Sequence, residues 1–305
     1  MTRRYGFTGL GNLGAALAAS LRRAGFELYV HDADPNAATA LLAQGALWSE
    51  SPRALAGSVD AVVTCLPSPA VSERVLNGAD GLLMGLTPGS TWIEMSTNDS
   101  DTIQRLAAIA AEKGVFTLEA PVTGGVHKAA VGEIAVIVGG EASVFERHRA
   151  ALEAMGRPIF HVGPLGSASV IKVITNMLAF VHLVAAGEAL MLAKRGGLDL
   201  AQAYHVIKAS SGNSFVHETE SQLVLNGSYN INFTMELACK DLGFAMKLGR
   251  EFGVPLDLAA ITAQTFIRAR ETYGGGASST QVVKLLEDAL HTDLRAPGFP
   301  AELKV

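Results

Sequence analysis

Charge is scarce in this chain. Asp, Glu, Lys and Arg supply 17% of its 305 residues, against roughly 25% in ordinary soluble proteins. The shortfall predicts extensive burial, and contacts between copies of the chain would help cover that much apolar surface. There is no long Lys/Arg run, and the net charge is −5. Nothing in this balance attracts a polyanion, so neither nucleic acid nor a membrane surface is an expected partner. Cysteine is nearly absent. Cys65 and Cys239 lie far apart, in no CxxC pair or metal-ligand spacing, and read as ordinary thiols of a cytoplasmic protein. The eight histidines are scattered and no HExxH occurs, so no metal is expected. Long apolar runs are missing too. Residues 173–187 carry no Asp, Glu, Lys or Arg, but 15 residues fall short of the roughly 18 to 20 needed to cross a bilayer. The stretch also holds Thr175, Asn176 and His182, and reads as a buried core helix; the length of the helix over 170–194 suggests that it also feeds a subunit interface. The N-terminus MTRRYGFTGLGNLGAALAAS superficially mimics a secretory leader, but its glycine spacing fits a nucleotide-binding turn better.

The first half alternates short apolar runs with helical patterns. Residues 5–8, 27–31, 61–66, 91–95, 115–119, 134–139 and 158–162 read as strands, bounded by Gly, Pro, Asp or Ser. Residues 13–24, 36–44, 101–113 and 143–155 read as helices. Such alternation predicts a mostly parallel sheet covered on both faces, an α/β Rossmann-type doubly wound fold. Beyond residue 162 only helical periods remain: 166–195, 199–210, 215–225, 234–253, 257–273 and 279–290. Glycine-containing breaks separate them. The expected organisation is a nucleotide-binding domain over 1–163 and an all-α C-terminal domain over 164–305, joined by a long interdomain helix. The last eleven residues, RAPGFPAELKV, read as a loose tail.

Gly9, Gly11 and Gly14 form GxGxxG, with Asn12 and Leu13 inside the motif. Alone this signal is weak; here a strand precedes it, a helix follows, and a second strand ends in an acid. Gly9 permits the tight turn, Gly11 lets the backbone approach a pyrophosphate, and Gly14 lets the helix pack closely on the sheet. The pyrophosphate would rest on the helix N-terminus. Asp32, at the end of the second strand, suits the ribose hydroxyls of NAD and would repel the 2′-phosphate of NADP, so NAD (NADH) is the expected cofactor. Asp34 is the better placed of the two to cap the next helix. Leu66 and Pro67 form a turn after a strand in the same half and are expected near the cofactor. Ser96 or Thr97 could face the nicotinamide, with Asn98 or Asp99 capping the next helix.

EAPVTGGVHKAAVGE ends a strand at Glu119 and turns through Thr123, Gly124 and Gly125 into a short helix. The N–H groups there, with the Thr123 hydroxyl, suit a carboxylate; a plain glycine turn is the alternative. Lys172 is the only formally charged residue between Pro158 and Gly187. A lysine is rarely buried without a partner, although it can snorkel from an apolar helix. Asn176, four residues on, shares its face.

Taken in order, GLGNLG, APVTGG, GPLGSASVIKVITN and CKDLGFAMKLGREFGVPLDL resemble the β-hydroxyacid dehydrogenase family, over residues 5 to about 290. That family includes 3-hydroxyisobutyrate dehydrogenase and is related to the 6-phosphogluconate dehydrogenases. The resemblance implies that Gly9, Gly11 and Gly14 are the dinucleotide fingerprint and that Thr97 lies near nicotinamide and substrate. Thr123, Gly124 and Gly125 match the substrate loop, usually written with serine where this chain has Thr123. Lys172 matches the catalytic lysine and Asn176 the asparagine beside it. Lys240 and Asp241 match a pair that closes over cofactor and substrate, and Phe233 an aromatic near the ligand. Departures occur at Thr175, where the family often has asparagine, and at Leu13, Ala16 and Ser20.

The implied activity is NAD-dependent interconversion of a small 3-hydroxy acid and its semialdehyde. Neutral Lys172 would accept the hydroxyl proton and its ammonium would return it. Burial without nearby carboxylates in sequence predicts a lowered lysine pKa. The expected partners are a small carboxylate-bearing substrate and further copies of the chain, as a homodimer or homotetramer. An imine reductase of the same fold is an alternative, but such enzymes generally lack this lysine. A non-catalytic dinucleotide-binding scaffold is another, and would be expected to lose the lysine or carry an added basic domain.

Overall fold

The structure, a computed structural model, describes residues 4–303. Met1, Thr2 and Arg3, which open the leader-like pattern, lie outside the described residues, as do Lys304 and Val305 of the tail. The chain forms two compact units, Met1–Lys172 and Val173–Val305.

The first unit is built on one sheet. Its strands are β1 (Arg4–Thr8), β2 (Glu27–His31), β3 (Leu47–Trp48), β4 (Ala61–Thr64), β5 (Thr91–Glu94), β6 (Phe116–Glu119), β7 (Val122–Thr123), β8 (Ala135–Gly140) and β9 (Ile159–Gly163). The order is β3-β2-β1-β4-β5-β6-β8-β7, with β9 also against β8. The six strands β1–β6 are mutually parallel. Strands β6 and β7 pair in turn with one antiparallel strand, β8, and β9 runs parallel to β8. The Ala120-Pro121 step therefore bends one strand course rather than ending it, and the Pro121 carbonyl still accepts from Ile137.

Side-chain alternation along the central strands explains why helices cover both faces. Val63 and Ile93 enter a core with Phe7, Leu17, Leu21 and Leu152. Their neighbours Val62 and Trp92 enter a separate core with Leu55, Leu76, Ile103 and Leu106. Every residue of β4 and β5 is buried, as strands covered on both faces require. Trp92 is fully buried and its indole N–H donates to the Thr64 hydroxyl at 2.8 Å.

The second unit is helical. Most of the helix Ser167–Arg195 belongs to it, followed by Leu200–Lys208, Phe215–Asn226, Met235–Phe252, Asp257–Tyr273 and Lys284–Ala289. The side chains of Asp199, Ser214 and Thr234 cap three of these helices. Gly227 and Gly253 end two of them in the left-handed conformation that glycine adopts without strain. Phe180, Leu183, Leu190 and Met191 of the long helix pack with Val224, Leu242 and Phe266.

Two expectations need correction. The apolar helix is only partly a core helix. Ile174, Leu178 and Leu192 are 38%, 45% and 76% exposed. With exposed Ala185 and Ala189 they form a stripe on one face. The helix has a mean hydropathy of 1.8 over its most apolar 18 residues, of which 28% are buried, and is long enough to span a membrane by length and composition. The 173–187 run understated it because the helix extends beyond the uncharged window. The C-terminal segment, in turn, is docked rather than loose. Arg295 donates to Glu287 and to the Val224 carbonyl, each at 2.9 Å, and to the Tyr229 hydroxyl at 2.6 Å. Ala296 N–H bonds Leu225 O, and the Phe299 ring meets Tyr204 edge-on at 4.9 Å. Glu287 is 4% exposed, and a buried carboxylate needs such a partner.

Candidate active site

The chain reverses its strand order beside β1, which lies between β2 and β4. In open parallel sheets the crevice beyond the carboxyl ends at such a point receives ligands. Three turns lead from that edge. Gly9 follows β1 with φ +93°, and a methyl group on it would stand 2.3 Å from the Cys65 carbonyl oxygen. A methyl on Gly14 would stand 1.9 Å from the Gly9 carbonyl oxygen, so the helix Asn12–Arg23 touches the turn backbone directly. Among the described residues, a methyl on Gly11 would meet nothing within 4 Å beyond its own stretch of chain. Gly11 opens that helix, and no side chain caps it. Exposed Gly11 and Asn12, with half-buried Leu13, thus border an open space in front of helical N–H groups. This cradle fits a pyrophosphate.

Asp32, at the end of β2, accepts from Leu10 N–H at 2.6 Å and from Asp34 N–H at 2.9 Å. Through Leu10 it braces the glycine turn. Asp34, not Asp32, caps the following turn by accepting from Asn36 N–H at 3.0 Å.

The turns after β4 and β5 are tied together. Leu66 N–H donates to the Ser96 hydroxyl at 2.7 Å, and Ser96 N–H donates to Glu94 at 2.8 Å. The Ser96 hydroxyl also donates to Glu94. Ser96 is therefore a brace, while half-buried Thr97 and exposed Pro67 lie beside it in the two turns. Asp99 caps the next helix, accepting from the Thr102 hydroxyl at 2.7 Å. Burial pushes the Glu94 carboxyl upward, against the lowering pull of the Ser96, Ser72 and Thr64 groups. Burial also pushes the Cys65 thiol up to about 12, helped by Glu94, so Cys65 is an unreactive thiol.

Beyond β7, Gly124 and Gly125 have φ of +126° and +92° and open the short helix Val126–Ala130. Thr123 and Gly124 are half-buried and Gly125 is exposed. Burial, and then the Lys128 charge, hold His127 below the usual imidazole range, which favours the neutral ring.

Lys172 lies on the second turn of the helix Ser167–Arg195 and is 8% exposed. Asn176, one turn further, is 9% exposed. Its Nδ2 donates to Asp241 Oδ2 at 2.6 Å. Asp241 is 1% exposed, and Lys240 Nζ lies 2.8 Å from its other oxygen and 4.9 Å above the Phe244 ring. Half-buried Phe233 packs against Phe180 at 6.0 Å between ring centres. Sequence reasoning missed two groups, Glu94 and Glu119. Each is the lone charged residue of a short strand and closes it, which was the available signal. Glu119 accepts from Gly166, Ala168 and Ser169 N–H groups at 2.5, 3.0 and 3.0 Å. Among the described residues no cluster of His, Cys, Asp and Glu suits a metal.

Comparison with known proteins follows this division. Residues 4–163 match the family model of the NAD-binding domain of 6-phosphogluconate dehydrogenase. Residues 166–286 match the NAD-binding model of NADP-dependent 3-hydroxyisobutyrate dehydrogenase. The chain is 33% identical to 2-(hydroxymethyl)glutarate dehydrogenase of Eubacterium barkeri over 285 residues, 93% of this chain and 95% of the relative. It is 36% identical to 3-hydroxyisobutyrate dehydrogenase of Pseudomonas aeruginosa over 267 residues, 85% and 90% of the two chains. The crystal structure of 3-hydroxyisobutyrate dehydrogenase from Salmonella typhimurium superposes with a TM-score of 0.87 at 34% identity, covering 93% of this chain and 99% of that one.

Proposed function

Because the chain belongs to the β-hydroxyacid dehydrogenase family, we propose that it interconverts a small 3-hydroxy acid and its semialdehyde, with Lys172 moving the proton. The observation that carries this reading is a buried lysine on the helix Ser167–Arg195 with buried Asn176 one turn on. Bound NAD supplies the acceptor for the substrate's hydride. The glycine turn Gly9–Gly14, with Asn12 and Leu13, would hold the pyrophosphate. Asp32 takes the ribose hydroxyls, and Leu66, Pro67, Thr97 and Lys240 are further cofactor contacts. Thr123, Gly124 and Gly125 grip the substrate carboxylate and set its distance from the reacting carbon. In oxidation the neutral Nζ of Lys172 takes the hydroxyl proton as the hydride leaves; in reduction the ammonium returns it. Asp241 fixes the Asn176 amide, and that amide orients the substrate oxygen without adding charge. Phe233 and Asp241 complete the substrate contacts.

An NADH-linked screen of small 3-hydroxy acids and semialdehydes tests the activity. No turnover with any of them overturns the proposal. A higher kcat/KM with NADP than with NAD overturns the assignment of Asp32.

We place the functional boundary between residues 163 and 164. The two family models meet between 163 and 166, and β9 ends at Gly163. We further propose a cytoplasmic homodimer or homotetramer whose subunits cover the stripe Ile174–Leu178–Ala185–Ala189–Leu192. A second copy suits this face better than lipid. The same helix carries Lys172 and Asn176, exposes Glu188, and supplies four core residues to its unit.

A further inference from the structure

The first N–H groups of a helix have no partner within it. In the helix that carries Lys172, Ser167 N–H goes to the Pro164 carbonyl and Val170 N–H to the Gly166 carbonyl. Ala168 and Ser169 N–H, and that of Gly166 just before them, all go to one carboxylate, Glu119. The Ser169 hydroxyl donates to it as well. Three backbone donors on two oxygens suit an ionised acceptor at the positive end of a helix, and they pull against the burial that pushes the Glu119 carboxyl upward. Ser169 lies three residues before Lys172, on the same helical face.

Glu119 is itself held. It closes β6, between Glu94 of β5 and Gly139 of β8. A methyl group on Gly139 would stand 2.3 Å from Glu119 Oε1, so glycine there makes the slot for this side chain. Four residues further along the same bent strand course lies Thr123, the start of the carboxylate loop.

We propose that Glu119 is a positioning residue: it locks the helix of Lys172 to the strand course that carries Thr123–Gly125. The grip on the substrate carboxylate and the proton carrier are then spaced by one short, rigid piece of sheet. This inference rests on the proposed function of Lys172 and the loop. A displacement near 1 Å in such a site is worth up to about 100-fold in rate.

The test uses the full chain, the best substrate of the NADH-linked screen, and NADH fluorescence for cofactor binding. Glu119→Gln keeps the shape but opposes an amide N–H to backbone N–H groups. We expect kcat to fall about 10- to 100-fold, with the NADH Kd within about twofold of the parent. Glu119→Asp keeps the charge and should recover part of kcat. Ser169→Ala removes a single bond, folds in any case, and should lower kcat severalfold with the melting temperature retained. A Glu119→Gln kcat within twofold of the parent overturns the inference. So does a loss of kcat matched by equal loss of NADH affinity and melting temperature, which is the signature of a purely structural cap. If Glu119→Gln does not fold, an unchanged kcat in Ser169→Ala overturns it. Lys172→Ala separates the two levels. Retained turnover there sinks the role of the lysine. A dead Lys172→Ala beside an unimpaired Glu119→Gln sinks only the positioning.

Discussion

Two glycines three residues apart should fail in opposite ways when each becomes alanine. At Gly14 the new methyl would lie 1.9 Å from the Gly9 carbonyl oxygen. Both are main-chain positions in the turn and its helix, so relief requires the helix to lift by more than 1 Å. Overpacking of this kind costs about 1–3 kcal/mol, and at roughly 2–4 °C per kcal/mol the melting temperature should fall by several degrees. At Gly11 the methyl would meet nothing within 4 Å among the described residues beyond its own stretch of chain, and the backbone, at φ −62° and ψ −176°, is one alanine accepts. Alanine gains about 0.4–1 kcal/mol by restricting the unfolded chain. It loses about the same by being a poorer N-cap than glycine. Stability should therefore stay within about 1 kcal/mol. The methyl does occupy the cradle in front of the helix N-terminus. An intrusion of about 1–3 kcal/mol there weakens NAD roughly 10- to 100-fold. Calorimetry and NADH fluorescence titration on both variants decide the matter. Parental NADH affinity in Gly11→Ala would refute the cofactor cradle, and an unchanged melting temperature in Gly14→Ala would refute the packing argument.

Lys172→Ala should cut kcat by about 10²- to 10⁴-fold, the range for losing a general acid–base group, while NADH affinity and melting temperature hold. Retained turnover contradicts the mechanism. Leu192→Glu puts a charge on the most exposed leucine of the helical stripe, and light scattering should report a lower molar mass than for the parent; a parent that is monomeric at micromolar concentration already contradicts the interface. Glu220, on the helix Phe215–Asn226, is pushed up to about 8 by burial. Its folded value lies above the ordinary one, so its contribution to stability is complete below the usual carboxylate range and is lost as pH rises through about 8. The melting temperature of the parent should therefore drop between pH 6 and 9 more than that of Glu220→Gln. Parallel curves would show that the site does not titrate there.

Local pattern carried much of the fold. Glycine and proline punctuation placed most of the helices within a residue or two, because chain breaks and caps are properties of neighbours in sequence. The five-residue helix Pro52–Ala56 and the helix Pro69–Asn77 escaped notice, since neither is long enough to establish a period. Strands β3 and β7, two residues each, are strands only by virtue of the partners they find. The glycine turn was legible for the same reason as the helices: its spacing encodes a local conformation. The braces were not. Ser96 looked like a ligand contact, and only the approach of Leu66 and Glu94 makes it a tie between two turns.

Sequence alone determined the alternating architecture, the glycine turn, and the isolation of Lys172 in an uncharged stretch. Each follows from periodicity or from which residue types adjoin. Tertiary structure decided which groups are buried and what satisfies them there. It set Glu119 against three N–H groups 47 to 50 residues away, paired Asn176 with Asp241 across 65 residues, and docked Arg295 onto Glu287 and Tyr229. A buried polar group must find a partner wherever the fold brings one, and that partner has no fixed separation along the chain.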